Sequence, residues 1–312
     1  MIDGGSTLIW KGGVCLVLFI LASFAWGDVD ESSGTMAMTF LKIGIGAEAI
    51  GMGESVTALT GDLYAAYWNP AGLSYVQQSQ IGFMHGEWFE GIKHEFAGFA
   101  HPIGQVGGFA VTVNYLSYGQ IDRRDTQGNL MGTFSPYDLA LSLSAGIRIS
   151  DTLFMGVTGK SVNEEIDQSS AHAFGIDMGV IYDLPGSPMS LGVTAHNLGS
   201  KVRFSQEEFS MPVILSGGIA YRLAGGNMAF STDLRKPLDD SPSIGFGIGI
   251  KTLKLLSLRA GYRYEIGGND LGALSGLRIG LGFGIENYQI DYAFASYGEL
   301  GPTHRFSLLA KF

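Results

Sequence analysis

A set of cations falls on one face of a repeating two-residue pattern. Arg148, Arg259, Arg263 and Arg278 are candidate lumen-facing basic residues, and Lys160, Arg222, Arg235, Lys251, Arg305 and Lys311 share their parity. Asp177, Asp233 and Asp291 oppose them on that face. Guanidinium groups at such spacing can do one of two things. They can neutralise buried carboxylates, for which Glu48, Glu54 and Asp62 in the N-terminal part are candidates. Alternatively, Arg259, Arg263 and Arg278 can guide a carboxylate-bearing amphiphile or another anion. Ionisable groups away from water are costly unless paired or wetted, which favours the pairing.

Other groupings carry less chemistry. GIGAEAIGMG, from Gly44 to Gly53, lacks the Lys-Ser/Thr of a phosphate-binding loop and reads as a glycine-rich turn. His85, Glu87, His94 and Glu95 cluster near a hairpin without metal-ligand spacing. Asp122, Asp125 and Asn129 do not match a calcium loop. No G-x-S-x-G elbow occurs, so the chain reads as a non-enzyme without cofactor or metal. A formal charge of −10 and the lack of a basic run exclude a nucleic-acid partner.

The elements that would position these cations are strands. From residue 79 onward, fourteen segments alternate with period two: 79–88, 93–102, 106–116, 138–149, 152–162, 170–183, 188–197, 212–222, 227–236, 243–251, 255–264, 276–286, 287–295 and 303–312. Each runs to about ten residues, which a tilted transmembrane strand requires. Connections alternate between tight turns and mostly longer loops, with 163–169 counted among the loops. In the stretch 276–286, Leu277, Ile279, Leu281, Phe283 and Ile285 alternate with Gly276, Arg278, Gly280, Gly282 and Gly284. One face would meet lipid. The other is small enough to leave room inside a wide barrel, and residues 28–76 are the candidate filler.

Composition agrees: of 312 residues, 47 are glycine, and only 15% are charged against about 25% in soluble domains. Tyr115, Tyr182, Tyr221, Tyr262, Tyr264 and Tyr288 sit near strand ends, as an interfacial girdle would. Lys11 and the apolar run VCLVLFILASFAWG read as a cleavable signal peptide over 1–27. The single cysteine, Cys15, lies in that leader, so no disulfide is expected. Asp62 is placed to cap a helix over 63–68, which Asn69-Pro70 should stop. The closing stretch HRFSLLAKF alternates Phe306, Leu308, Ala310 and Phe312 and resembles the strand by which barrel-insertion machinery recognises its clients.

The stretch FLKIGIGAEAIGMGESVTALTGDLYAAYWNPAGLSYV and the strand after it resemble the start of PorV/PorQ-family outer-membrane proteins, similar in architecture to the fatty-acid transporter FadL. That resemblance implies a hatch carrying an Asn-Pro-Ala motif, here Asn69, Pro70 and Ala71, followed by Gly72. The expected fold is all-β: a 14-stranded antiparallel transmembrane β-barrel over 78–312 with an N-terminal hatch over 28–77. The resemblance implies passive uptake of small hydrophobic or amphipathic molecules. The alternative is a PorV-like partner in protein secretion or surface attachment that transports nothing. Expected partners are outer-membrane lipid, the insertion machinery, and either a small hydrophobic ligand or a secreted protein.

Overall fold

A computed structural model describes residues 36–59, 61–204, 207–252, 255–267, 272 and 274–312. The expected signal peptide, with Cys15, and the first residues of the expected hatch lie outside the described residues.

Fourteen antiparallel strands close into one barrel. In chain order they are β1 (Gln80–Glu87), β2 (Lys93–Ile103), β3 (Gly107–Ser117), β4 (Tyr137–Arg148), β5 (Leu153–Ile166), β6 (Ser169–Asp183), β7 (Met189–Gly199), β8 (Ile214–Leu223), β9 (Met228–Pro237), β10 (Ser243–Thr252), β11 (Leu256–Glu265), β12 (Leu277–Ile285), β13 (Tyr288–Ser296) and β14 (Pro302–Lys311). Every strand pairs with its chain neighbour. The seam is closed by β1 on β14, in register from Gln80 opposite Lys311 to Glu87 opposite His304. Phe312 completes it, donating its N–H to Ser79 O at 2.9 Å. No open edge remains, as a wall without water on its outer side requires.

The period-two pattern sets the two faces. Phe83, Leu143, Phe174, Phe246, Leu281, Ile290 and Phe306 are exposed on the outside, forming the apolar surface that lipid covers. Tyr221, Tyr264 and Tyr288 are exposed there too. The alternation also separates the histidine cluster. His85 and Glu95 face outward and hydrogen-bond each other at 2.7 Å. His94 is fully buried and bonds Asn114 at 2.6 Å.

Three connections differ from expectation. The loop anticipated over 163–169 is strand, because β5 and β6 run on to a two-residue turn at 167–168 where Asp167 takes φ 55°. Within the 118–136 loop, Ile121–Arg124 pairs with Leu130–Phe134 as a small hairpin. Its turn is tied by Asp125, whose carboxylate accepts from the N–H groups of Gln127 and Asn129. A second small hairpin pairs Val202–Phe204 with Glu207–Phe209.

Residues 36–76 lie inside the barrel. They begin at the loop end, where Phe40 and Leu41 pack with Leu116, Val162 and Met211. A five-residue helix, α1 (Ala47–Gly51), lies against β11, β12 and β13. It replaces the turn expected from the glycine spacing. The helix anticipated over 63–68 is shorter, α2 (Ala65–Trp68), and Asp62 accepts the Tyr64 N–H at 2.9 Å just ahead of it. A 3-10 turn, Pro70–Tyr75, then reaches the opposite end, against β3 to β6.

Candidate functional site

The inward glycines are where the segment's backbone touches the wall. A Cβ on Gly51 would lie 2.8 Å from Gly280 Cα, and one on Gly146 would lie 2.5 Å from Pro70 O. A Cβ on Gly245 would lie 2.6 Å from Gly53 O. At Gly156 it would overlap Pro70 and Ala71, and at Gly261 it would overlap Gly53. Any larger residue would push the segment off the wall. Among the described residues, a cavity of about 20 Å³, room for about one water, lies between the segment and the wall beside Glu54, Thr57, Lys160, Asn197 and Arg235.

Asn69, Pro70, Ala71 and Gly72 are all buried at the turn end. Asn69 uses both ends of its amide. Its Oδ1 accepts from Ala71 N at 3.1 Å and caps the 3-10 turn. Its Nδ2 donates to Thr57 O at 2.7 Å and to Val180 O on β6 at 3.2 Å. One side chain thus ties two parts of the segment to the wall. Only a residue that both donates and accepts at that reach can do so.

Ion pairs add to the close packing. Arg259 bridges Glu48 on α1 (2.8 Å) and Asp291 on β13 (2.7 Å). Glu54 receives Arg263 at 2.8 Å and Arg235 at 3.3 Å. Burial by itself would raise the Glu54 carboxyl. Arg263 and Arg235, with Arg278 and Arg305 further off, outweigh it and hold the carboxyl down at about 2. Asp62 pairs with no cation among the described residues, and burial together with Glu48 pushes it up to about 7. On the other side of the bore Lys160 meets Asp177 at 2.7 Å, where β7 bulges at His196–Asn197 and Asn197 takes φ 59°.

The four candidate arginines divide. Arg259 and Arg263 hold the segment's carboxylates. Arg278 is buried, lies 4.5 Å over the Tyr297 ring, and gives Nη1 to the carbonyls of Ser275, Leu277 and Ser296. Arg148 lies apart, exposed at the turn end and 5.2 Å over the Phe154 ring. Sequence reading passed over Trp88 and Tyr297, the aromatic partners of Arg305 and Arg278: Tyr297 lies in a loop, and Trp88, placed at the end of the first alternating segment, stands just past β1. It also passed over Asp138 and Glu164, directly opposed across β4 and β5. The parity of Asp138 placed it inward as clearly as it did the arginines, whereas Glu164 fell in the stretch expected to be loop.

A family model described as "Type IX secretion system protein PorV" matches residues 28–228, spanning most of the internal segment and the strands from β1 to the start of β9. The chain belongs to the PorV family. Solved structures share the fold. The toluene transporter TodX of Pseudomonas putida is 13% identical with a TM-score of 0.63, covering 86% of this chain and 99% of its own. The monoaromatic hydrocarbon channel CymD is 14% identical with a TM-score of 0.58, covering 86% and 98%. A Pseudomonas aeruginosa FadL homologue is 12% identical with a TM-score of 0.58, covering 90% and 99%. No curated protein sequence matches.

Proposed function

We propose that this PorV-family protein is a gated outer-membrane barrel for passive uptake of small hydrophobic or amphipathic molecules, with residues 28–77 as its hatch. A cleavable leader over 1–27 and insertion through the C-terminal strand ending at Phe312 belong to this reading. One observation carries it: the wall is complete without the hatch. All fourteen strands pair with one another. Among the described residues, a single backbone hydrogen bond joins 36–76 to anything outside it, from Ala37 N to Ser210 O at 3.2 Å. The remaining polar ties are made by side chains that water can replace. The hatch can therefore shift around Asn69-Pro70 without opening the sheet. The similar barrels named for toluene and monoaromatic hydrocarbons support this substrate class.

The close seating of the segment on the wall favours a second reading, that of a sealed scaffold serving protein secretion or surface attachment, the role that the family's description implies. Proteoliposome uptake of toluene, other aromatic hydrocarbons and a long-chain fatty acid separates the two. The conduit reading expects selective uptake by the intact chain and unselective leak from a variant lacking residues 28–76. Leak from the deletion alone, with no uptake by the intact chain, would establish the sealed scaffold.

A further inference from the structure

The outer face of the wall carries a polar pair where lipid is its neighbour. His85 on β1 and Glu95 on β2 stand opposite each other in the ladder and meet at 2.7 Å, with 42% and 43% of their side chains exposed. A charge on the lipid face of a barrel is destabilising, though less so near the interface than at the midplane. Apolar residues would serve better there if the wall met acyl chains alone. The pair has polar company. Glu87 and Lys93 oppose each other one step nearer the loops on the same face, and Glu87 also stands opposite His304 on β14. Tyrosines mark the same level: Tyr292 shares a hydrogen bond with His304 at 2.8 Å, and Tyr115 lies directly across from Glu95. Tyrosine mixed with charge belongs at the headgroup level of a membrane.

Towards the turn end, the same outer face is hollow. Phe83, Ala97, Val113, Ile290, Phe306 and Leu308 line a groove of about 450 Å³, with His85, Glu95 and Tyr115 at its loop side. Ala97 makes the hollow, because it stands between Phe83 and Val113 in the ladder with a methyl where its neighbours carry larger apolar groups. An apolar body with a polar end has the shape of a lipid. The charges choose its headgroup. Among the described residues Glu95 bonds His85 through Oε1, which leaves Oε2 to accept from a ligand. With Glu87 nearby, carboxylates outnumber the permanent cation Lys93, so a purely anionic headgroup is disfavoured. A choline ammonium has no N–H to give to a carboxylate. A primary ammonium has three. Its phosphate would find His85 and Lys93.

We infer that this outer groove binds a glycerophospholipid whose headgroup carries a primary ammonium and a phosphate, with one acyl chain lying over Ala97 between Phe83 and Val113. The ammonium donates to Glu95, and the phosphate lies towards His85 and Lys93. The headgroup thereby supplies the counter-charge that the carboxylates on this face lack. The groove lies outside the bore and reaches from β13 across the β14–β1 seam to β3. The inference therefore goes beyond both the conduit and the scaffold readings, and it rests on neither.

The test is native mass spectrometry of the full chain, released from detergent after titration with dipalmitoyl lipids that differ in headgroup alone. The probes are phosphatidylethanolamine, phosphatidylcholine and phosphatidylglycerol, with lipid A alongside. Phosphatidylethanolamine should half-saturate the chain at a concentration about fivefold below the other two, the worth of one exposed charge pair. Glu95→Gln should erase that preference and leave phosphatidylcholine binding unchanged. Ala97→Phe, which fills the hollow, should weaken phosphatidylethanolamine and phosphatidylcholine alike. Both substitutions lie on the lipid face, and heat-modifiable mobility on gels checks that each variant is folded. The comparison of headgroups on the unaltered chain needs no variant, so a misfolded substitution does not shelter the inference. Equal binding of the three headgroups would overturn it, leaving ordinary boundary lipid. Tighter binding of phosphatidylglycerol or lipid A would overturn it in favour of an anionic headgroup. Binding of phosphatidylethanolamine that Ala97→Phe leaves untouched would place the lipid elsewhere and also overturn it.

Discussion

At the scale of the residue, two side chains hold the hatch in chemically different ways. Asn69 is a neutral tie. Replacing it with Ala would orphan the Ala71 N–H and the Thr57 carbonyl, each buried unsatisfied group costing about 1–3 kcal/mol, and remove the added bond to Val180 O. Asn69→Asp should be no better, because a carboxylate cannot donate to either carbonyl. Both variants should lose thermal stability of the hatch, read as earlier protease cleavage within 36–76 on heating. Glu54 is a charged tie, and its strength depends on pH. Its carboxyl in the fold lies at about 2, below the ordinary 4.5. The fold therefore gains from its ionised form above pH 4.5 and loses that gain as pH falls from 4.5 through 2. The hatch should stay latched at pH 5 and loosen progressively below 4.5, followed as dye leak from proteoliposomes. In Glu54→Gln this acid-dependent component should be absent, with a higher basal leak at neutral pH because two buried guanidiniums lose their partner.

At the scale of the element, glycine faces set how the hatch seats. Gly261→Ala places a methyl where Gly53 now lies, an overpacking cost of about 1–3 kcal/mol that falls on the contact and not on the ladder. The variant should keep the heat-modifiable mobility of a folded barrel on gels while its hatch becomes protease-sensitive. The strands were legible in the sequence because lipid outside and small residues inside make a period-two contrast, as Leu277 to Ile285 show. What the sequence hid has physical causes. Helix α1 spans only five residues among glycines, so no periodicity can build. The 121–124 and 130–134 hairpin lies outside the wall, with no lipid face to impose alternation on its partners. The turn at 167–168 was hidden because β5 and β6 extend past the apolar band, where polar residues such as Asn163, Glu164 and Glu165 look like loop. Among the charges, parity gave the side of the wall but not the partner. The bridge from Arg259 to Glu48 requires knowing where α1 lies around the barrel.

At the scale of the whole molecule, the account makes the barrel and its hatch separable parts. The wall closes on itself through β1 and β14, and the hatch is held to it by glycine contacts and ion pairs along the bore. Conduction would require only that the second part move relative to the first. Ser55 on the hatch and Ser231 on β9 face each other with 2.9 Å between their Oγ atoms, close enough for a pair of cysteines there to reach disulfide geometry with little backbone movement. The most direct measurement is toluene uptake into proteoliposomes by the Ser55→Cys/Ser231→Cys double variant, oxidised and then reduced. The account predicts that oxidation abolishes uptake and that a reductant restores it to the level of the unmodified chain. Equal uptake with the disulfide closed and open would contradict it, because molecules would then cross without the hatch moving from the wall.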